Sequence, residues 1–389
     1  MQRRSFIKGS AALGSALALP RGAQAASISA SQTAAPGATG QPSQPGPPRT
    51  DQWRGFNLQW EQKPTDPADK PAFEEADFKN MSDWGFTFAR LPISYWVWGS
   101  PKDWTVINPD PVKQIDRAIT LGRTHNIHIN FCFYRIPGYC ISRRELEPAD
   151  LFTGRTADRA RALDAAVYHW RYFARHFKGI SNHDLSFDLF NEPPRQASYE
   201  GAFQERYVEI IQALTLAIWS EDPDRLIFVD GVNVGTEPVE EVVNLHPMQA
   251  THCYQPLAVT HYTASWVGKD RFESFKTPVW PLTDDKGQVW DRAKLKQEYL
   301  DKYKPLTDRG ALVHVSEFGC YNKTAHEVVL AWMSDCLSLW HEAGWGWAVW
   351  NFRGDFGVMD SGRADVAYED FQGHKLDRKM LELLRQSPA

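Results

Sequence analysis

Eight short apolar runs recur along the chain, separated by amphipathic stretches. They are 53–58 (WRGFNL), 86–91 (FTFARL), 127–133 (IHINFCF), 185–191 (LSFDLFN), 226–231 (LIFVDG), 248–254 (MQATHCY), 311–317 (ALVHVSE) and 345–351 (WGWAVWN). Their β-branched and aromatic character, with little alternation, predicts strands covered on both faces. Helical periodicity fills 71–84, 110–125, 158–178, 198–219, 291–309 and 324–342. In the last of these, Val328, Val329, Trp332, Met333, Cys336, Leu337 and Trp340 keep three-to-four spacing. Between the fifth and sixth strands, 237–246 reads as a turn or two at most. Such alternation implies a parallel sheet, and eight strands is the number that closes into a ring. The fold class is therefore α/β, a (β/α)8 TIM barrel forming a single catalytic domain. An open doubly wound sheet is the competing arrangement, but no G-x-G-x-x-G turn follows the first strand.

Polar residues collect where the strands end: Asn57, Arg90, Tyr134 with Arg135, Asn191 with Glu192, His252 with Tyr254, Glu317, and Trp350 with Asn351. In a barrel all these ends open on one face, where active sites are built. Glu192 and Glu317 close the fourth and seventh strands, so they face each other across the mouth. Glycoside hydrolysis needs such a pair, one to protonate the leaving oxygen and one to attack the anomeric carbon or activate water. Like charges brought close also raise the affinity of one carboxylate for a proton.

The aromatic content fits a carbohydrate cleft. Sixteen tryptophans are present, and Trp96, Trp98, Trp104, Trp266, Trp280, Trp290 and Trp350 fall in or beside loop-like segments, where indoles stack on the flat apolar faces of sugars. Tyr262 and Trp266, in THYTASW, are candidates to line the same cleft. The aromatic insert 255–290 is a candidate wall at one end of it. No Lys/Arg run suited to tracking phosphate occurs, which argues against nucleic acid as a partner. His125, His128 and His261 form no ligand cluster with carboxylates, so no cofactor or metal is expected. Five scattered cysteines do not make a disulfide scaffold. A single Cys132–Cys140 bridge is conceivable, and buried thiols are the main expectation.

The N-terminal region reads differently. Residues 1–25 carry Arg3-Arg4, a short apolar run over Ala11–Leu19, and a small-residue Ala23-Gln24-Ala25 end, the layout of a cleaved twin-arginine signal. That run is too short to span a bilayer. Residues 26–50 are rich in Pro, Gly, Ser and Gln and predict a disordered tether. The catalytic domain is then 51–389, exported to the periplasm or medium, monomeric, and free of the membrane after signal cleavage.

RGFN (54–57), ARLPISYW (89–96), FNEP (190–193), HCY (252–254), SEFG (316–319) and VWNF (349–352) resemble, in order, glycoside hydrolase family 5, the cellulase family of clan A. The match runs over roughly 51–386. The resemblance implies that Glu192 is the acid/base and Glu317 the nucleophile of a retaining double displacement, with carboxyl groups about 5–5.5 Å apart. It further implies that Arg90 hydrogen-bonds the nucleophile, Asn191 holds the sugar 2-hydroxyl, His252 sits near the acid/base, Tyr254 donates toward the nucleophile, and Trp350 floors the −1 sugar. The family usually has a histidine after the third strand, and Tyr134 stands there instead. Altered sugar recognition with intact chemistry is the expected consequence, since a tyrosine can hydrogen-bond a hydroxyl but carries no proton near pH 7. The implied activity is an endo-β-1,4-glucanase acting on a polysaccharide or oligosaccharide. Mannanase, β-1,3-glucanase and exo-glycosidase are alternatives within the family. From other classes, an inactive carbohydrate-binding protein is one alternative, and a non-hydrolytic barrel enzyme that abstracts protons with the two carboxylates is another.

Overall fold

All eight expected strands form, and they close on themselves. The computed structural model describes residues 53–60, 71–195, 203–267 and 276–386. The signal segment and tether, 1–25 and 26–50, lie outside the described residues. The strands are β1 (Arg54–Asn57), β2 (Phe88–Ser94), β3 (His128–Arg135), β4 (Leu185–Asp188), β5 (Ile227–Asp230), β6 (Met248–Cys253), β7 (Val313–Phe318) and β8 (Gly346–Val349). Each pairs in parallel with the next, and β8 returns to β1, with Arg54 opposite Trp347 and Phe56 opposite Val349.

The strands read as unbroken apolar runs because both faces are buried. Outward residues such as Leu91, Ile129, Phe131, Phe187, Val229 and Val315 join the large core shared with the helices. Inward residues build a separate floor of Trp53, Phe88, Phe228, Met248, Ala250 and Ala348. His128 stacks on Trp53 at 4.0 Å, and His314 lies against Phe88 at 4.4 Å. Burial holds both imidazoles neutral, with pKa values pushed down to about 3. Two residues further along β2, β5 and β6 the inward positions turn polar: Phe88 gives way to Arg90, Phe228 to Asp230 and Ala250 to His252. Period two therefore stacks the polar layer directly on the apolar floor.

β7 departs from that period. Thr251 faces Val315, but the next residue, His252, faces Glu317, and β8 shows the same slip between Trp347 and Val349. The extra residue leaves Ser316 close to His314, Oγ to Nδ1 3.2 Å, and brings Glu317 onto the inner side as well. A bulge beside an active site commonly re-aims a side chain in this way. Gly55 shows how tightly the ring closes, because a Cβ there would stand 1.8 Å from the Phe88 carbonyl oxygen.

The helices lie where their periodicity placed them: α1 (Glu75–Asp83), α2 (Pro109–Thr124), α3 (Thr156–His176), α4 (Phe203–Trp219), α5 (Arg292–Glu298), α6 (Leu300–Thr307) and α7 (His326–Ala343). Asn108 caps α2 by accepting from the Asp110 amide, with Pro109 next to it, as helix starts favour. The expected 291–309 helix is broken at Tyr299 (φ −119°, ψ −69°) into α5 and α6. Between β5 and β6 a four-residue turn, Val232–Gly235, and a 3-10 segment, Glu240–Leu245, form. A hairpin (Glu369–Phe371 with His374–Leu376) and a last helix, α8 (Arg378–Gln386), follow the barrel. Among the described residues, no helix is long and apolar enough to cross a membrane.

Several expectations need correction. Cys132 and Cys140 are separate buried thiols: Cys132 meets the Arg90 guanidinium, and Cys140 points to the Tyr134 carbonyl. Trp98 and Trp104 are core residues, and Trp96 lies beneath the Arg135 guanidinium. Trp280 donates to Asp335 on α7, and Trp290 is half-buried beside Lys294 of α5. Of the 255–290 insert, only its first part reaches the mouth among the described residues.

Candidate active site

The mouth is built from the tips of the strands, and its centre is the Arg90 side chain of β2, fully buried. Arg90 Nη1 donates to Glu317 Oε1 at 2.6 Å and to Asn57 Oδ1 at 3.2 Å. Nε donates to Asp188 Oδ2 at 2.8 Å, and Nη2 to Asn191 Oδ1 at 2.9 Å. Asn57 is steadied in turn by donating to the carbonyls of Ser316 and Val349. Burial alone would weaken the guanidinium's hold on its proton. The Cys132 sulfur and the carboxylates of Asp188, Glu317 and Asp230 outweigh it and push the pKa well up.

A second cation sits on β6. His252 Nε2 lies 3.2 Å from Asp230 Oδ2, while Nδ1 lies 3.3 Å from Glu192 Oε1 and 3.6 Å from Glu317 Oε2. Burial works against protonation here too, but Asp230 and Glu317 raise the pKa well above that of a free imidazole. Asp230 is held low: His252 and Arg90 overcome the opposing effect of burial. Asp188 goes the other way, raised by burial to about 6 despite Arg90. Gly235 makes room for this histidine, since a Cβ there would come within 2.7 Å of the ring.

The two glutamates meet across this layer. Glu192, His252 and Glu317 each present one atom, and these atoms lie within 4.8 Å of one another. Both Glu317 oxygens accept bonds, Oε1 from Arg90 and Oε2 from the Tyr254 hydroxyl at 3.0 Å, and such donors favour the ionised carboxylate. Burial raises the Glu317 pKa; His252 and Arg90 oppose the rise, while Glu192 and Asp230 add to it. Glu192 is more open, its side chain 18% exposed against 5% for Glu317. Its backbone is left-handed, with φ 48°, a conformation costly for a residue with a Cβ. Asp230 Oδ2 accepts from its amide at 2.8 Å, and the Tyr139 hydroxyl donates to its carbonyl at 2.7 Å, which together offset that cost.

The carboxylate pair opens into a cleft of about 1060 Å³ lined by Gln59, Tyr134, Tyr254, His261, Trp266, Trp350, Asn351 and Phe356 among others. Tyr134 lies nearly parallel to Trp350 at 6.3 Å, and burial, with the Glu192 charge, keeps its hydroxyl protonated. Trp266 is 58% exposed at the rim. Arg135 does not reach the cleft: it pairs with Glu147 at 3.0 Å and donates to the Ser142 carbonyl, pinning the loop after β3. Tyr262 does not line the cleft, whereas its neighbour His261 does. The sequence reading also passed over Asp188 and Asp230. A lone acid inside LSFD and inside IFVD was the available signal. The Glu192–His252–Glu317 trio is the one potential metal-ligand group among the described residues.

These features bear on family. A model of the cellulase family, glycosyl hydrolase family 5, matches residues 37–355. The chain belongs to glycosyl hydrolase family 5. It is a glycoside hydrolase, and a polysaccharide is its fitting substrate. Endoglucanase C of Acetivibrio thermocellus is 23% identical over 320 residues, which cover 76% of this chain and 88% of that protein. A crystal structure of a glycoside hydrolase superposes with TM-score 0.79 at 35% identity, covering 87% of this chain and all of that one. Thermotoga maritima Cel5A, crystallised with mannotriose, shares the fold at TM-score 0.66 and 19% identity, over 86% of this chain and 98% of its own. In this family 5 enzyme Glu192 and Glu317 present oxygens within 4.8 Å of each other, which suits the short carboxyl separation of a retaining, double-displacement reaction and not the roughly 6.5–9.5 Å of an inverting one.

Proposed function

We propose that the enzyme is an endo-acting hydrolase of β-1,4-linked glucans, with Glu317 as nucleophile and Glu192 as acid/base. The observation that carries this reading is the asymmetry of the pair. Glu317 is buried, with both oxygens engaged by Arg90 and Tyr254, so it is aimed, and the Arg90 charge favours its ionised form. Glu192 lines the open cleft and has His252 for a neighbour.

In this scheme Glu317 attacks the anomeric carbon while Glu192 protonates the departing glycosidic oxygen. Glu192 then takes a proton from the water that opens the glycosyl ester. Asn191 supports the transition state: its Oδ1 is committed to Arg90, and its buried Nδ2 has no partner among the described residues. That leaves a donor for a sugar 2-hydroxyl, a contact that strengthens as positive charge develops on the ring. Trp350 and Tyr134 offer apolar faces to the ring, so the tyrosine after β3 affects recognition and leaves the chemistry to the glutamates. Internal cleavage of a chain is favoured because several relatives carry the name endoglucanase. The mannotriose in the Thermotoga enzyme makes β-mannan the second substrate to consider. Export through a twin-arginine signal at 1–25, a tether at 26–50 and a monomeric state complete the proposal.

The test is hydrolysis of cellulose, mannan, laminarin and aryl glycosides with the anomers followed by NMR. Fresh β-anomer and a spread of internal products from β-1,4-glucan support the reading. α-Anomer as first product, or single-sugar release alone, contradicts it.

A further inference from the structure

We propose that His261 is a sugar-hydroxyl acceptor in the cleft, its Nε2 kept free of a proton because Thr260 fixes the tautomer. The proposal rests on the reading that this cleft holds a β-linked glycan.

The case begins with the short turn after β6, Leu257–Thr260, which delivers His261. The turn is pinned from the loop after β7. Thr324 Oγ1 donates to the Val259 carbonyl at 2.6 Å, and the Tyr321 amide donates to the Thr260 carbonyl at 2.7 Å. Thr260 Oγ1 then stands 2.5 Å from the Tyr254 carbonyl oxygen and 2.9 Å from His261 Nδ1. Two oxygens so close need a hydrogen between them, and a carbonyl has none to give. The Thr260 hydroxyl has one hydrogen, and the Tyr254 carbonyl takes it. Thr260 Oγ1 can therefore only accept from His261, so Nδ1 carries the proton.

A neutral imidazole bears a single N–H. Burial keeps this ring neutral at working pH, its pKa pushed down to about 4. Nε2 is thus a bare acceptor, and among the described residues nothing donates to it. The ring is packed by Tyr254 at 4.9 Å, Phe356 at 5.5 Å and Trp266 at 6.2 Å, and all four residues line the cleft. One acceptor set in an aromatic wall suits a sugar, whose flat face lies on the rings while a hydroxyl donates to nitrogen.

Binding is read in a Glu317→Gln background by calorimetry with cellohexaose, with mannohexaose and laminarihexaose in parallel. H261F keeps an aromatic ring and removes the acceptor, and H261Q restores an acceptor oxygen near Nε2. We expect H261F to weaken Kd about ten-fold, roughly one hydrogen bond, and H261Q to recover most of that, with melting temperatures little changed. Unchanged affinity in H261F, or H261Q as weak as H261F, overturns the proposal. Two-bond 15N–1H correlations of the wild type provide a check that needs no variant, because a proton on Nε2 also overturns it. Binding of mannohexaose but not cellohexaose sinks the glucan assignment alone, and His261 is then read on mannohexaose. No binding to any of the three sinks both.

Discussion

Arg90 Nη1 stands 2.6 Å from Glu317 Oε1, with the arginine fully buried and the glutamate nearly so. The same guanidinium reaches Asp188 at 2.8 Å and lies 3.8 Å from Asp230. One rigid cation thus organises three inward carboxyls from three strands, and the nucleophile we assign is one of them.

Removing that cation strands the acids. Arg90→Met is expected to lower folding stability by about 3–5 kcal/mol, the usual cost of breaking a buried pair, and to abolish turnover. Urea unfolding measures the first and hydrolysis the second. Stability within about 1 kcal/mol of wild type would mean the network is not the keystone described.

Tyr254→Phe deletes only the hydroxyl that donates to Glu317 Oε2. A bond to a charged group is worth about 1.5–3 kcal/mol, so kcat/KM is expected to fall roughly 10- to 150-fold. Melting temperature should move little. An unaffected rate would show that this bond does not position the carboxylate.

Two histidines give opposite pH signatures. The His252 pKa is raised in the fold, so its contribution to stability is complete below about 6.5 and fades as pH rises through the folded value. The stability gap between wild type and H252Q should therefore shrink above about pH 6.5. The His128 pKa is lowered to about 3, so its contribution is present above about 6.5 and is lost as pH falls toward 3. The gap to H128Q should shrink on that side, with a slope approaching 1.4 kcal/mol per pH unit. Chemical melts from pH 3 to 9 measure both, and gaps of the reverse trend would refute the assignments.

Much of this arrangement was legible in the sequence, for a physical reason. A parallel strand buried on both faces must be apolar, so an acid or arginine at its end announces itself, as Glu192, Glu317 and Arg90 do. What stayed hidden depends on closure of the ring. Asp188 and Asp230 stand out as acids in apolar strands, but their partners, Arg90 for the first and His252 for the second, are set only by the closed ring. The bulge that turns Glu317 inward leaves no mark in SEFG. His261 reads as a stray histidine because its partners Thr260, Trp266 and Phe356 converge only in the fold. Arg135 and Trp98 failed in the opposite sense, since nothing local tells a cleft residue from a loop anchor or a core ring.

Trp266→Ala removes an exposed indole at the rim. KM for long oligosaccharides is expected to rise several-fold, in line with about 0.5–1.5 kcal/mol for an aromatic contact, while kcat on short aryl glycosides and the melting temperature hold steady. A matching loss on both substrates would place the residue in the fold's support instead.

The most direct measurement is covalent trapping. The enzyme is incubated with a 2-deoxy-2-fluoro cellobioside bearing an activated leaving group, then digested and analysed by mass spectrometry. We predict one added glycosyl unit on the peptide containing Glu317 and none on that containing Glu192. A label on Glu192, or turnover with inverted product and no covalent adduct, would contradict the mechanism.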